Sequence, residues 1–324
     1  MKKTLYLAIT LLLATACYKD YVTDYGTSAV FVAYQYDLRS FVLGEDASFE
    51  FQVALGGVMQ NTKDRKVTLS VDNSLLSGAV AGMKNKNLSS GDYVGNAITD
   101  AGITAFKPLP ASFHTIEGMD DLVIKKGAHT AAVKISATSA FAADPDACKP
   151  AYAIAFKIDA ADADTVLQNK NYAVIAVRCE NRFFGFWSRS GVTRTYDWTG
   201  AKTGESHEAA SLVDSRQYEF TTVSANKVNC NKVGGFSGQM TLSFDGNNIT
   251  VNSTDGKVTG SGTFNGETLL QNRQIYLRYR VNKDDGGYDD VRDTLSFRNR
   301  IRDGVNEWQD ENPEHYGKGS NVTS

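Results

Sequence analysis

The chain has 324 residues, of which 42% are hydrophobic and 22% are charged, and its formal net charge is −3. This composition supports a folded core, and the absence of a Lys/Arg-rich stripe argues against nucleic acid as a partner. One hydrophobic core rarely serves so long a chain, so we expect two domains.

The N-terminal sequence is typical of an exported lipoprotein. Lys2 and Lys3 precede an uncharged apolar run over residues 5–16, which is shorter than the ~20 residues that cross a bilayer but suits a secretory signal. Residues 14–16 lead into Cys17 and resemble a bacterial lipobox. We therefore predict a cleaved signal over 1–16 and a lipid on Cys17 as the only membrane anchor. The alternative is an ordinary secretory signal followed by a chance cysteine.

After a lipidated linker over 17–24, residues 25–180 predict a β-sandwich of immunoglobulin-like size. The run 172–177 is apolar on both faces, as a central strand would be. We interpret the Gly- and Pro-rich stretch 84–120 as long loops and 74–83 as a short helix. The period-two strand patterns that support the sandwich lie at residues 29–36, 47–54, 67–71, 133–135 and 152–158.

Residues 181–303 predict an antiparallel meander of about eight strands, which hides its edges best by curling into a barrel. The clearest signals are Asp245-Gly246, Asp255-Gly256 and Asn265-Gly266, at ten-residue spacing between alternating runs. Such dipeptides supply the positive φ angles of type I′ hairpins. The remaining residues, 304–324, are interpreted as a loose polar tail.

Three cysteines remain if Cys17 is acylated, and three cannot all pair within one chain. Cys148 precedes one predicted strand and Cys179 ends another, so a disulfide between them is one reading. Isolated buried thiols are the reading that the sequence favours, and Cys230 is the third such thiol.

The order of several diffuse motifs resembles a known two-domain arrangement. The first half resembles a domain of unknown function that is common in Bacteroidetes lipoproteins and also precedes a family 18 endo-β-N-acetylglucosaminidase. The second half resembles the lipocalin-like β-barrel domain that often follows it. The stretches that carry the resemblance are 29–36, 109–110, 124–127, 151–158, 162–167, 171–175, 184–187 and 293–300.

This resemblance implies an accessory surface protein of an outer-membrane polysaccharide uptake system. It brings no settled binding residues with it. Tyr18-Lys19-Asp20 also resembles the acidic export signal of surface lipoproteins, but with one acidic residue where several are usual.

Exposed aromatic residues are the best candidates for sugar binding, because an aromatic face covers the C–H face of a sugar while planar polar groups bind its hydroxyls. Trp198 lies in a turn-like sequence close to Arg194, and Trp308 has no apolar neighbours and lies near Tyr316. We name these four residues as ligand-binding candidates, with simple surface packing as the alternative. Trp187 lies in an apolar run and is expected in the core.

The sequence supports no metal, cofactor or catalytic site. The acidic loop 282–290 offers oxygen ligands but lacks the spacing of a calcium-binding EF-hand, and a solvated hairpin loop is favoured. The four histidines are scattered, and GxSxG, GxGxxG and P-loop motifs are absent.

We therefore predict an all-β, lipid-anchored, non-catalytic glycan-binding protein at the outer membrane, exposed at the cell surface. Its partners would be an oligo- or polysaccharide and outer-membrane uptake proteins. Two alternatives remain: an adhesin or structural protein that binds another protein, and a glycoside hydrolase with an unrecognised carboxylate pair.

Overall fold

The computed structural model describes residues 26–45, 47–84, 93–211 and 215–308. It confirms the predicted all-β fold, with two packed sheets followed by a closed antiparallel barrel. Within the described ranges, no helix combines the length and the apolar character that crossing a bilayer requires.

The first part of the chain folds into two packed mixed sheets. One has five strands in the order β10-β1-β3-β8-β6, and the other has the order β2-β11-β9-β4-β7 with β5 added beside β9. Three pairs are parallel, namely β1 with β10, β2 with β11, and β5 with β9. The strands are β1 (Ala29–Phe31), β2 (Tyr36–Leu43), β3 (Ser48–Gly56), β4 (Arg65–Val71), β5 (Lys107–Pro108), β6 (His114–Glu117), β7 (Val123–Ile124), β8 (Thr130–Ala137), β9 (Tyr152–Ala161), β10 (Thr165–Val166) and β11 (Tyr172–Asn181).

Apolar side chains from the facing sides of both sheets fill the space between them. Phe51 on β3 stacks on Phe156 on β9 with ring centroids 4.7 Å apart. Along β9 and β11, alternate residues such as Ile154 and Val177 point into this core. The alternation seen in the sequence therefore reports burial between two sheets.

The interpretation of 84–120 as long loops is wrong for part of that stretch. Two helices, α1 (Ala79–Lys84) and α2 (Tyr93–Asp100), pack on the outer face of the second sheet. A short 3₁₀ turn, Asn73–Leu76, precedes α1, so the single helix expected over 74–83 is divided. The sheet's outer face presents small residues, including Ala153, Ala155 and Ala176, and these let the helices approach closely. A third helix, α3 (Ser139–Ala143), precedes β9.

The second part of the chain forms a barrel in which eight strands close on themselves. The closing pair is β12 with β20, and β13 and β21 add to the outside of those two strands. Gly191 lies at the closure, where a Cβ atom would come within 2.2 Å of the Arg292 carbonyl oxygen. The strands are β12 (Gly185–Tyr196), β13 (Lys202–Glu208), β14 (Gln217–Ser224), β15 (Lys227–Val233), β16 (Phe236–Asp245), β17 (Asn248–Asn252), β18 (Val258–Phe264), β19 (Gln274–Asn282), β20 (Tyr288–Arg302) and β21 (Val305–Glu307).

The predicted type I′ turns take other forms. Asp245 pairs with Asn248 across the β16–β17 hairpin, so the loop is Gly246-Asn247, with the positive φ on its first residue as in a type II′ turn. Asp255-Gly256 lies in a longer loop, and Asn265-Gly266 opens the long β18–β19 connection.

Asp303-Gly304 forms a two-residue loop in which both residues have a positive φ, of 52° and 80° respectively. It joins β20 to β21, so the predicted loose tail begins with an ordered hairpin.

A buried ion network joins the two halves of the molecule. Glu45, at the end of β2, accepts hydrogen bonds from Arg273 at 2.7 Å and from two nitrogens of Arg300 at 2.8 and 3.0 Å. Both arginine side chains are only 3% exposed. Close by, the Asp303 carboxylate accepts from the Ser40 backbone N–H and the Tyr93 hydroxyl.

We expect Glu45→Gln to lower the free energy of unfolding by about 2–4 kcal/mol, because it leaves two buried guanidinium groups without their shared counter-charge. Chemical denaturation of the full chain measures the loss. Glu117→Gln, an exposed glutamate on β6, is the matched control and should change stability by less than about 0.5 kcal/mol.

The effect of Glu45→Gln should also depend on pH. Burial alone would raise the pKa of Glu45, but hydrogen bonds and charge from Arg300 and Arg273 outweigh it and hold the pKa below 4.5. Because the folded pKa lies below the unfolded one, the carboxylate contributes its full stabilisation above pH 4.5 and loses it as the pH falls through the folded pKa. The stability difference between wild type and Glu45→Gln should therefore shrink below pH 4.5. A difference that stays constant down to pH 2 would contradict the role given to this carboxylate.

Candidate functional site

The lumen of the barrel is packed with side chains. Trp187 is fully buried, as expected, and donates from its indole N–H to the Phe183 carbonyl oxygen at 3.0 Å. It packs against Phe220 and Phe297. The lumen therefore serves as a hydrophobic core, and candidate ligand sites must lie on the outside of the barrel.

A buried polar cluster inside the barrel has the perturbed ionisation that active sites often show. Asp293 accepts hydrogen bonds from Arg189, Tyr218 and Tyr279 at 2.7–2.9 Å, and its side chain is 0% exposed. Burial raises its pKa despite the adjacent Arg189 charge. The two tyrosine hydroxyls in turn accept from the Gly234 and Gly235 backbone N–H groups. Protein groups thus surround the carboxylate, which makes the cluster a structural device that fixes the β15–β16 turn.

The most suitable binding surface is an open groove on the outside of the barrel, which we call the Trp308 groove. Its volume is about 580 Å³, within the range of small-molecule sites. Trp308 forms one wall, and its side chain is 60% exposed. The other lining residues come from the β18–β19 loop and the start of β19, and from β20: Asn265, Glu267, Gln271, Asn272, Gln274, Ser296, Phe297 and Arg298.

The β18–β19 loop is held in shape by its own hydrogen bonds. The Asn265 side chain accepts from the Gln274 backbone N–H at 3.1 Å and donates to the Asn272 carbonyl at 2.8 Å. The Asn265 backbone N–H donates to the Gln274 carbonyl, which closes the loop at its base. Leu270 is 1% exposed and anchors the loop's middle in the barrel core. The groove wall is therefore preorganised.

The groove's chemistry matches the needs of sugar recognition. An exposed indole offers a flat apolar face, while amide, carboxylate and guanidinium groups supply planar donors and acceptors. Glu267, Gln271 and Asn272 are exposed along the loop, and Arg298 lines the β20 side. The groove therefore pairs an aromatic platform with several planar polar groups.

Trp198 lies far from this groove, at the opposite end of the barrel. Its side chain is 77% exposed. It lies beside Gly286, where an added Cβ atom would be 3.4 Å from the Cβ atom of Trp198. Beside it, Tyr196 stacks on Tyr288 at 4.8 Å. Phe297 follows Tyr288 by nine positions along β20, about 30 Å at strand spacing, so a short ligand cannot touch Trp198 and Trp308 together.

Arg194 is near Trp198 in the sequence but is already engaged. Its guanidinium contacts Glu205 at 3.1 Å, and Glu205 also binds Lys202 and His207. Lys202, followed by His207 and Arg194, lowers the pKa of Glu205 to about 2. Tyr316 and Cys17 lie outside the described residues, so their roles stay predictions.

A second concavity, of about 510 Å³, lies where the β20–β21 hairpin meets the sandwich. Several of its charged groups are engaged in ion pairs. Asp37 binds Arg39 at 2.8 Å, and Glu307 binds Arg300 and Arg302 at 2.6 Å. Because these charges are already satisfied, this cleft offers less to a ligand than the Trp308 groove.

The acidic loop 282–290, for which the sequence favoured a solvated hairpin over a calcium site, connects β19 to β20. There, Asp284 and Asp289 bind Lys257 and Lys283, respectively. Over the part of the chain that the structure describes, three or more potential metal ligands nowhere come together.

The sequence analysis named Trp308 as a candidate but named none of the polar residues that line its groove. Asn265, Glu267, Gln271, Asn272 and Gln274 follow one another within ten residues. The high density of amide side chains next to the Asn265-Gly266 turn signal was the feature of the sequence that could have indicated a polar groove wall. Ser296 and Arg298 could not be added without knowing that β20 runs beside the loop.

Comparison with known proteins supports the fold. A family model described as “-like, N-terminal domain” matches residues 17–165. A protein of unknown function from Bacteroides ovatus, solved in a structural-genomics programme, is 22% identical with a TM-score of 0.62, and the alignment covers 89% of this chain and 99% of that one. A search of curated proteins finds no match.

An auxiliary nutrient binding protein from Bacteroides thetaiotaomicron is 12% identical over 89% of this chain and 97% of that one, with a TM-score of 0.39. That score is too low to relate the two functions. The first of the two solved structures and this chain share a fold, and the first half of the chain matches an N-terminal domain family over residues 17–165.

Proposed function

We propose that this protein is a lipid-anchored, non-catalytic glycan-binding protein of the cell surface, accessory to a polysaccharide uptake system. The Trp308 groove is the observation that supports this most strongly. It combines an exposed indole with a preorganised loop of amide and carboxylate side chains.

The shape of the groove favours a carbohydrate over an apolar ligand. It is open to solvent, and polar side chains outnumber apolar ones along its walls. A sugar ring stacked on Trp308 would bury apolar C–H groups while its hydroxyls stay within reach of Gln271, Asn272 and Arg298. An apolar ligand would displace water from the exposed amides of Gln271 and Asn272 without replacing its hydrogen bonds, at a cost in free energy.

The anchored location rests on the N-terminal sequence. A basic start, an apolar run and small residues before Cys17 form the predicted lipidation signal, and the family match begins at this residue. The resemblance to lipoproteins that accompany uptake systems suggests outer-membrane uptake proteins as partners.

We expect Trp308→Ala to weaken binding of a cognate oligosaccharide about five- to thirtyfold, because loss of one stacked aromatic costs on the order of 1–2 kcal/mol. A panel of polysaccharides in affinity gels identifies the ligand, and calorimetry with its oligosaccharides measures the affinity. Trp308→Phe should retain much of the binding. Since Trp308 is mostly exposed, none of these changes should alter the unfolding midpoint.

Trp198→Ala is the matched control, since it removes another exposed indole at the other end of the barrel. Binding of a short oligosaccharide should be unchanged in this variant. If no glycan in the panel binds, or if Trp308→Ala binds as wild type does, the proposed site is wrong. Release of labelled sugar products by purified protein would establish a hydrolase instead.

We also expect Cys17→Ala to move the protein from the membrane fraction to the soluble fraction of the cell, because the lipid would be its only anchor. Mass spectrometry of the wild-type N-terminus should show diacylglyceryl on Cys17 and no residues 1–16. A wild-type protein that starts at Met1 or carries no lipid would contradict this part of the proposal.

A further inference from the structure

Two cysteines that lie 31 residues apart meet at the edge of the sandwich core. Cys179, near the end of β11, is completely buried, and Cys148, in the turn between α3 and β9, is partly exposed. Their Sγ atoms are 2.9 Å apart. This is closer than the roughly 3.5–4.0 Å at which non-bonded heavy atoms normally pack.

The backbone around the pair is already placed for a covalent link. The Cys179 backbone N–H donates to the carbonyl oxygen of Ala147 at 2.7 Å. This hydrogen bond holds the backbone next to Cys148 against β11, and a disulfide needs Cα atoms about 4.4–6.8 Å apart. Closing the sulfur–sulfur distance to a bond length near 2.05 Å requires a shift of only about 0.9 Å.

We propose that Cys148 and Cys179 are a disulfide-forming site in the exported protein, oxidised by a small-molecule or protein disulfide. This inference rests on the proposed export, because structural disulfides persist in oxidising compartments. It also revises the isolated-thiol reading of the sequence. With Cys17 acylated, Cys230 is the single thiol left over; it is buried in the barrel and donates to the Lys232 carbonyl.

The chemistry can begin at Cys148, which is the accessible partner. The hydrogen bond between the two thiols lowers the pKa of Cys148. The same hydrogen bond, together with burial, raises the pKa of Cys179. The Cys148 thiolate attacks one sulfur of the oxidant and releases the first thiol. The Cys179 sulfur then loses its proton, attacks Sγ of Cys148 and releases the second. Two S–H bonds of the protein are lost and one S–S bond forms, while the oxidant takes up two electrons and two protons as two thiols.

The link would fasten the turn before β9 to the end of β11. It would close a loop that contains β9 and β10 and lies beside the junction with the barrel, since Glu180 follows Cys179 and bonds Thr222 on β14. Restricting the unfolded chain over such a loop should raise the melting temperature by roughly 5–10 °C.

The test uses the full chain, exported through its own signal and alkylated under denaturing conditions without reductant. Peptide mass spectrometry should find the Cys148 and Cys179 peptides joined, lighter by two hydrogen atoms than the reduced pair, with Cys230 alkylated. Alkylation of both Cys148 and Cys179, or a small thiol attached to Cys148 alone, would overturn the proposal.

Reductant provides a readout that does not depend on how well a variant folds. It should lower the melting temperature of the wild type and leave that of the Cys148→Ser/Cys179→Ser variant unmoved. Equal melting temperatures with and without reductant in the wild type would count against the link. Purified reduced chain in a mixture of oxidised and reduced glutathione separates this proposal from the proposed function. Formation of the Cys148–Cys179 disulfide in this mixture tests whether the two cysteines are placed to bond, independently of export. The affinity for a glycan should be the same in the reduced and the oxidised protein.

Discussion

The junction between the two halves of the molecule centres on one largely buried carboxylate. Glu45 lies two residues after the end of β2 of the sandwich and is shared by Arg273 and Arg300 of the barrel. Arg273 would lose its carboxylate partner on leaving this contact, which is costly in a poorly solvated place, whereas Arg300 is also paired with Glu307 at 2.6 Å. Arg300 lies on β20, the strand that closes the barrel and ends in the hairpin at Asp303. Barrel closure and attachment to the sandwich therefore share one strand, and the position of the Trp308 groove is fixed by both.

Filling the barrel with side chains decides where ligands can bind. Trp187, Tyr218 and Tyr279 occupy the space that an open barrel would leave for a ligand, and the Asp293 cluster satisfies the polar groups among them. Recognition is thereby shifted to loops and strand ends, where exposed aromatics remain. The two ends differ chemically. The Trp308 end offers amides around one indole, whereas the Trp198 end carries stacked tyrosines and paired charges.

The sequence predicted those elements that follow a simple periodicity. Met240, Leu242 and Phe244 alternate in the sequence and point into the barrel, so the sheet and its inner face could be predicted locally. The outer helices could not, because Ala153 and Ala176 look neutral in sequence yet make room for α1 and α2. The groove combines one loop with β19, β20 and Trp308, and its polar residues have no period. Only the fold brings such residues together, which is why the sequence analysis named Trp308 as a candidate without naming the residues around it.

The β18–β19 connection is closed at its base by the bond between the Asn265 backbone and the Gln274 carbonyl. Residues 266–273 can therefore vary in length or composition while the barrel strands on either side keep their register, apart from the two anchors Leu270 and Arg273. Changes in this segment would alter the surface of the Trp308 groove on an unchanged frame. For the same reason, a designer could graft loops between Asn265 and Gln274 to retarget the scaffold.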